Sequence, residues 1–224
     1  MTAGNFIKDS ISTDGFALIR KFEPATTSAE IFSRLGVMEV IEGQNAIQML
    51  IPKILIEASP NTYSGKFGTS EFPLHTDLAH WSVPPRYLIL RCIRGSARVA
   101  TRLLDGQILS REFGIDVLQR TLVQPRRPMK NGRQLLRLLE WKEDLECFRL
   151  RWDSHFLVPA NGAASKVVEC ISSFLASTMP KEIALRDPGD TLIIDNWRWL
   201  HGRSSANADV NLRQIDRVYL GCLT

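Results

Sequence analysis

The apolar residues of this chain come in short runs closed by turn formers, and that pattern constrains the fold more than any other feature. Tyr87-Leu-Ile-Leu follows Pro84-Pro85, and Arg98-Val-Ala-Thr-Arg-Leu-Leu follows Gly95-Ser96, which reads as two strands joined by a turn. Arg186-Asp-Pro-Gly-Asp is a turn before the buried-strand candidate Thr191-Leu-Ile-Ile, and Arg217-Val-Tyr-Leu-Gly-Cys-Leu reads as a further strand. Helix signals are fewer. Thr26-Thr27-Ser28 precedes Ala29-Glu-Ile-Phe-Ser-Arg-Leu, with Glu30 early in the turn, Ile31 and Leu35 four apart, and Gly36 as a stop. Val167, Val168, Ile171 and Leu175 recur at three and four residues and put one helix over Ala164 to Ser177. Several short strands with only two clear helices predict a mainly β fold with flanking α, a barrel or sandwich under helical cover.

The 224 residues fit one domain, and 44% hydrophobic with 23% charged residues is the balance of a globular protein. No uncharged run approaches the roughly 18 residues of a membrane span. The start, Met1-Thr-Ala-Gly-Asn-Phe-Ile-Lys, lacks a basic flank, an apolar segment and a cleavage site, so a cytoplasmic location is expected. Cys92, Cys147, Cys170 and Cys222 stand far apart without a Cys-x-x-Cys pair and read as reduced, mostly core thiols. A net charge of +4 is weak evidence for a polyanionic partner and fits an acidic small substrate as well. One stretch is anomalous. Leu118 to Leu139 holds Arg120, Arg126, Arg127, Lys130, Arg133 and Arg137 without an acid. It reads as a solvated hairpin with turns at Pro125, Pro128 and Asn131-Gly132, or more sharply as a lid over an anionic substrate or a nucleic-acid patch. It lacks the interleaved aromatics of a stacking platform, which speaks against nucleic acid.

The chemistry concentrates in Glu71-Phe-Pro-Leu-His-Thr-Asp-Leu-Ala-His-Trp. His75 and Asp77 are separated by one residue, so on an extended strand both side chains leave the same face and can converge on one ion. Imidazole and carboxylate suit a borderline divalent metal, and a third ligand from a distant segment would complete the two-histidine, one-carboxylate facial triad of non-haem Fe(II) oxygenases. Of the four histidines, His201 stands just past a strand candidate and before Gly202-Arg203, and it is the third candidate ligand. Taken alone, a His-x-Asp is weak, since most such pairs are solvated.

With Ser64-Gly-Lys-Phe-Gly, Pro73-Leu-His-Thr-Asp, Pro84-Pro-Arg-Tyr-Leu and Asp195-Asn-Trp-Arg-Trp-Leu-His-Gly-Arg, the sequence resembles the taurine dioxygenase-like and clavaminate synthase-like Fe(II)- and 2-oxoglutarate-dependent oxygenases. The resemblance spans about residues 61 to 219 and implies a single domain with a double-stranded β-helix core, a cupin-like jelly roll. It implies iron ligation by His75, Asp77 and His201. It also implies 2-oxoglutarate binding by Thr101, 26 residues after His75, and by Arg213, 12 after His201, with Arg217 four further on. A guanidinium presents a planar fork that pairs a carboxylate bidentately. Arg217 could serve the co-substrate or an anionic group of the substrate, and both arginines could instead be surface residues. The implied reaction couples O2 and 2-oxoglutarate to hydroxylation of an unactivated C–H bond, giving succinate and CO2. Retention of Asp77 favours hydroxylation over halogenation.

Further substrate candidates are Glu71, His80, Arg126 and Arg127. Glu71 could equally be solvated, and His80 with Trp81 could be packing residues. Trp197 and Trp199 read as core, Arg203 as structural and paired with an acid, and His155 has no evident partner. The expected substrate is a small anionic or zwitterionic molecule such as an amino acid or natural-product intermediate, free or borne on an acidic carrier protein. A basic binding module on an oxygenase fold without turnover is the rival reading.

Overall fold

Strand alternation sorts the apolar runs onto two facing sheets. The computed structural model describes residues 3–129, 132, 134–207 and 212–224, so Lys130, Asn131 and Arg133 of the basic stretch lie outside the described residues. The first part of the chain runs α1 (Ala3–Asp14), β1 (Phe16–Ile19), α2 (Ser28–Leu35), β2 (Gly36–Met38), β3 (Gln48–Leu50), α3 (Tyr63–Phe67) and β4 (Phe72–His75). The middle runs β5 (Tyr87–Arg94), β6 (Ala100–Asp105), α4 (Gln107–Phe113), α5 (Ile115–Arg120), β7 (Leu122–Pro125), β8 (Leu136–Arg137), β9 (Leu139–Lys142) and β10 (Cys147–Leu150). Then follow β11 (Leu157–Pro159), α6 (Gly162–Ser177), β12 (Lys181–Ala184), β13 (Thr191–Asp195), β14 (Trp199–Arg203) and β15 (Gln214–Leu223).

The larger sheet has the order β1-β13-β5-β15-β2, with β3 also on β15, and the smaller has the order β12-β6-β14-β4. Their ladders are antiparallel. Leu88, Leu90, Leu192, Ile194 and Ile215 of the larger sheet meet Leu103, Ile183 and Trp199 of the smaller in one buried cluster between the sheets. This is the jelly-roll architecture expected from the sequence. The alternate residues Ile89, Ile193, Val218 and Leu220 face the other way and are covered by α1 and α2 through Ile7, Ile11, Ile31, Phe32 and Leu35.

The expected helices form where their caps lie. Thr27 Oγ1 accepts from the Glu30 N–H at 3.3 Å while Glu30 Oε2 accepts from the Thr27 N–H at 3.2 Å, a reciprocal cap that fixes the start of α2. Burying Ile31, Phe32 and Leu35 contributes roughly 1.5–3 kcal/mol each. Asn161 Oδ1 caps α6 at the Ala164 N–H, 2.9 Å away, and α6 buries Ile171 completely.

The structure also corrects several expectations. It holds six α-helices among the described residues, where the residue pattern signals two. The 12-residue α1 is rich in Ser and Thr and has only the narrow stripe Ile7 and Ile11 to bury, so its helicity comes from docking on the sheet rather than from propensity. The two strands expected at Tyr87 and Arg98 both form, and the turn between them carries the chain from the larger sheet, which holds β5, to the smaller, which holds β6. Their connection arches between sheets at Gly95, where a Cβ would lie 1.8 Å from the Arg186 carbonyl oxygen. Of the cysteines only Cys92 is core; Cys170 and Cys222 are exposed, and all four are free thiols.

The basic stretch is part of the outer layer over the smaller sheet. Leu118, Val123, Leu136, Leu138 and Leu139 are buried there with Leu74, Leu104, Leu200 and Ile171, while β7 pairs with both β8 and β11. Arg120, Arg126, Arg127 and Arg137 are exposed on that layer. Among the described residues no helix is long and apolar enough to cross a membrane.

Candidate metal centre

Pairing of β14 with β4 sets His201 directly opposite His75 on the inner face of the smaller sheet. The ladder shifts register beside Gly202, where a Cβ would lie 2.6 Å from the Phe72 carbonyl oxygen, so the glycine lets the two strands close up at the site. Asp77 follows two residues after the end of β4. His75 Nε2 is 3.4 Å and His201 Nε2 3.6 Å from Asp77 Oδ1. All three residues are buried, and their donor atoms lie within 4.8 Å of one another.

The other atoms of the triad are committed elsewhere, and this orients the donors. His75 Nδ1 donates to the Pro73 carbonyl oxygen 2.8 Å away, so Nε2 is the nitrogen that faces Asp77 and would give up its proton to a metal. Asp77 Oδ2 accepts from the Tyr219 hydroxyl at 2.8 Å and from Arg217 Nη1 at 3.2 Å, leaving Oδ1 on the histidine side. The Asp77 main chain is clamped by Asn196, whose Oδ1 accepts from the Asp77 N–H at 2.7 Å and whose Nδ2 donates to the Asp77 carbonyl at 3.0 Å. His201 Nδ1 is buried without a hydrogen-bond partner, so packing orients that ring.

Burial opposes the charge on Asp77, yet Arg217, then His201 and His75, outweigh it and hold the carboxyl well below the usual range. On His75, burial disfavours the proton, but the hydrogen bond to Asp77 and its charge prevail and raise the pKa. On His201 burial wins, and the pKa falls. Two imidazoles and a carboxylate oxygen, with no fourth His, Cys, Asp or Glu donor in the group among the described residues, fit a borderline divalent ion with open positions.

An aromatic wall borders the triad. The Tyr63 ring stacks on His75 with centroids 4.0 Å apart and planes 19° apart. Phe67, Phe72, His155 and Phe156 pack around Tyr63. The Tyr63 hydroxyl is buried beside Asp153; burial, then the charge of Asp153, push its pKa up. Asp153 is itself buried, and its Oδ1 accepts from the N–H groups of His155 and Phe156 at 2.7 and 2.8 Å. Burial lowers the pKa of His155, and the charges of Lys66, Arg126 and Arg127 act on it in the same direction. Those cations therefore stand at the rim of the aromatic wall.

Thr101 is buried on β6 opposite Arg203, on the same inner face as Leu103, which pairs with His201. Arg213 is buried just before β15, close enough to Arg203 that burial and then its charge pull the Arg203 guanidinium down to about 10. Among the described residues no acid pairs with Arg203; it donates to the Gly68 and Ser70 carbonyls at 2.8 Å each and lies over Phe72 at 3.7 Å. Arg217 lies against Asp77, and its Nε and Nη2 both donate to Gln48 Oε1. His80 approaches Phe156 at 5.6 Å with its Nδ1 buried and unpartnered, and burial lowers its pKa. Glu71 is exposed and ion-paired with Arg102, whose place on β6 alternates away from Thr101. Arg126 Nε donates to the His155 carbonyl at 2.6 Å, and Arg127 is exposed. Trp197 and Trp199 are buried, in line with core packing.

Sequence reasoning missed Tyr63, Asp153, Phe156, Asn196 and Gln48. A signal existed for Asp153: in Arg149-Leu-Arg-Trp-Asp it shares a strand face with Arg149 and Arg151 inside an otherwise apolar run. The contacts of the other four are made by tertiary folding alone.

No protein-family model matches the chain. Over 184 residues it is 30% identical to clavaminate synthase 2 of Streptomyces clavuligerus, covering 72% of this chain and 54% of that protein. The chain thus spans about half the length of that curated relative. Asparagine oxygenase in complex with Fe(II), 2S,3S-3-hydroxyasparagine and succinate superposes with a TM-score of 0.69 at 16% identity, covering 96% of this chain and 76% of that one. PvcB of Pseudomonas aeruginosa, an Fe, alpha-ketoglutarate dependent oxygenase from an isonitrile synthetic pathway, gives 0.69 at 16% identity, covering 98% and 80%. The non-heme iron oxygenase OrfP, in complex with Fe, succinate and (3S)-hydroxy-L-Arg, gives 0.65 at 22% identity, covering 97% and 78%.

The fold is that of the Fe/2-oxoglutarate oxygenases, and the buried His-Asp-His cluster is a group that could hold a metal ion. Within that class the chain is a homologue of clavaminate synthase 2 and stands in the taurine dioxygenase and clavaminate synthase-like family.

Proposed function

We propose that the chain is an Fe(II)- and 2-oxoglutarate-dependent hydroxylase of a small amino-acid-like zwitterion. The observation that carries this reading is the convergence of His75 Nε2, His201 Nε2 and Asp77 Oδ1, each oriented by its surroundings toward one point. Bound iron with 2-oxoglutarate and O2 supplies the oxidising chemistry, which inserts one oxygen into a C–H bond and releases succinate and CO2. His75, Asp77 and His201 hold the metal on one face. Thr101 and Arg213 hold the distal carboxylate of 2-oxoglutarate, since a buried hydroxyl opposite Arg203 and a buried guanidinium within electrostatic reach of Arg203 both suit that anion. The retained carboxylate of Asp77 would keep the position that a halogenase gives to chloride, which favours hydroxylation over halogenation and leaves desaturation and epoxidation as outcomes that product analysis would separate.

Tyr63, Phe67, Phe72 and Phe156 form an apolar wall beside His75 that excludes water from the reacting carbon. Asp153 supplies a buried carboxylate for a substrate ammonium, next to the buried Tyr63 hydroxyl and within electrostatic reach of His75 and His80. Lys66, Arg126 and Arg127 at the rim favour a substrate carboxylate, or an acidic carrier protein presenting the substrate. Glu71 would reach a substrate only by leaving Arg102. Asparagine oxygenase and OrfP, crystallised with hydroxylated amino acids, make the same substrate class the first to screen. The exposed free thiols Cys170 and Cys222 fit a reducing, cytoplasmic compartment.

The test is succinate release from 2-oxoglutarate across free amino acids and the same amino acids loaded on an acidic carrier. Asp153→Asn should raise KM for an accepted amino acid about 10- to 100-fold, the worth of a charged hydrogen bond, and should leave KM for 2-oxoglutarate unchanged. Arg126→Ala with Arg127→Ala should raise KM for the substrate alone. Equal KM values in all variants would refute the assigned substrate pole.

A further inference from the structure

We infer that Tyr219, Arg217 and Gln48 are positioning residues that hold Asp77 as a one-oxygen ligand. The inference rests on the hydroxylase reading of the site. A carboxylate can bind a metal through one oxygen or chelate through two, and chelation would use up one of the positions a facial triad leaves open. Here the second oxygen is occupied. Asp77 Oδ2 accepts from the Tyr219 hydroxyl at 2.8 Å and from Arg217 Nη1 at 3.2 Å, while Oδ1 faces His75 and His201 at 3.4 and 3.6 Å.

The fold builds this arrangement from one strand. Arg217 and Tyr219 are two residues apart on β15, so both side chains enter the space between the sheets, and the Arg217 guanidinium lies over the Tyr219 ring at 5.1 Å. Gln48 is the cross-strand partner of Arg217 on β3, and its Oε1 accepts from both Nε and Nη2 of Arg217. The Gln48 amide nitrogen donates to Gln44 Oε1 at 2.6 Å, which turns its oxygen toward the guanidinium. A chain of hydrogen bonds thus runs from the exposed Gln44 through Gln48 and Arg217 to a metal ligand. Each guanidinium nitrogen of Arg217 makes one hydrogen bond within it, while Nη1 and Nη2 each keep a second N–H that a co-substrate carboxylate could use.

The test is titration of the metal-free protein with Co(II), read by calorimetry and by the visible d–d bands, with succinate release measured separately on the iron-loaded enzyme. Wild-type protein should bind one Co(II) and His75→Ala should not; failure of that pair refutes the hydroxylase reading itself. Given binding by the wild type, Tyr219→Phe should weaken Co(II) about 10- to 100-fold, the usual cost of losing a partner of a metal ligand, and should change the d–d spectrum. Gln48→Leu should weaken it several-fold in the same direction, and it decides the matter if Tyr219→Phe does not fold. A packing role alone would lower Tm but leave the Co(II) Kd and spectrum as in the wild type, and that result overturns the inference. Arg217→Lys separates the two uses of Arg217: a raised Co(II) Kd supports positioning, whereas an unchanged Kd with a raised KM for 2-oxoglutarate makes it a co-substrate clamp and removes it from the proposal.

Discussion

Replacement of Asn196 by Ala probes how the fold holds its metal ligand. Asn196 is fully buried and spends its whole side chain on main-chain groups: the Asp77 N–H at 2.7 Å, the Asp77 carbonyl at 3.0 Å and the Pro85 carbonyl at 2.9 Å. Alanine removes all three bonds and leaves three buried main-chain groups unpaired. Each orphaned group costs about 1–3 kcal/mol. Partial relaxation brings the sum to roughly 3–6 kcal/mol, a large share of the roughly 5–15 kcal/mol that folds a domain. At about 2–4 °C per kcal/mol for a chain of this size, Tm should fall by at least about 6 °C. The same change frees the main chain at Asp77, so metal affinity should fall together with Tm. Thermal unfolding by circular dichroism, paired with Co(II) titration well below the transition, measures both. A Tm drop under about 3 °C with unchanged Co(II) affinity would refute the reasoning, because Asp77 would then be held by something other than this clamp.

Metal binding should depend on pH with a definite sign. His75 is held above its ordinary pKa, while His201 lies below and Asp77 well below theirs, so between the two histidine values one proton must leave for the metal to bind. Co(II) affinity should therefore fall about tenfold per pH unit on acidification in that window, and calorimetry in buffers of different ionisation enthalpy should count about one proton released rather than none or two. Ile171→Ala, deep under the outer face of the smaller sheet, should cost about 2–5 kcal/mol through the cavity it leaves, with Co(II) affinity unchanged; a coupled loss of metal would mean that the outer layer shapes the site. Gly95→Ala should destabilise the fold, because its Cβ would meet the Arg186 carbonyl at the arch between the sheets, and an unchanged Tm would count against that close approach.

The triad was legible in the sequence because a His-x-Asp on an extended segment needs only local geometry to converge, and the resemblance supplied its distant partner. The strands at Tyr87, Thr191 and Arg217 were legible for a similar reason, each being a short apolar run between turn formers. The assignment of strands to sheets was not. Gly95-Ser96 gives the same local signal for a hairpin as for an arch, and only the burial of β5 and β6 in opposite sheets distinguishes the two. α1 escaped notice because its helix-forming tendency is weak and its stability is lent by the sheet it covers. The residues that orient the triad were hidden for a deeper reason. Asn196, Tyr219 and Gln48 act on Asp77 from 119, 142 and 29 residues away, and neither composition nor periodicity carries information over such separations.

The central claim is that His75, Asp77 and His201 form an iron and 2-oxoglutarate site. Anaerobic titration with Fe(II) and 2-oxoglutarate tests it most directly, by following the weak visible metal-to-ligand charge-transfer band, with His75→Ala as control. The account predicts a band that saturates at one iron per chain and is absent from the variant. Well-folded protein that gives no band, or an equal band with His75→Ala, would contradict it.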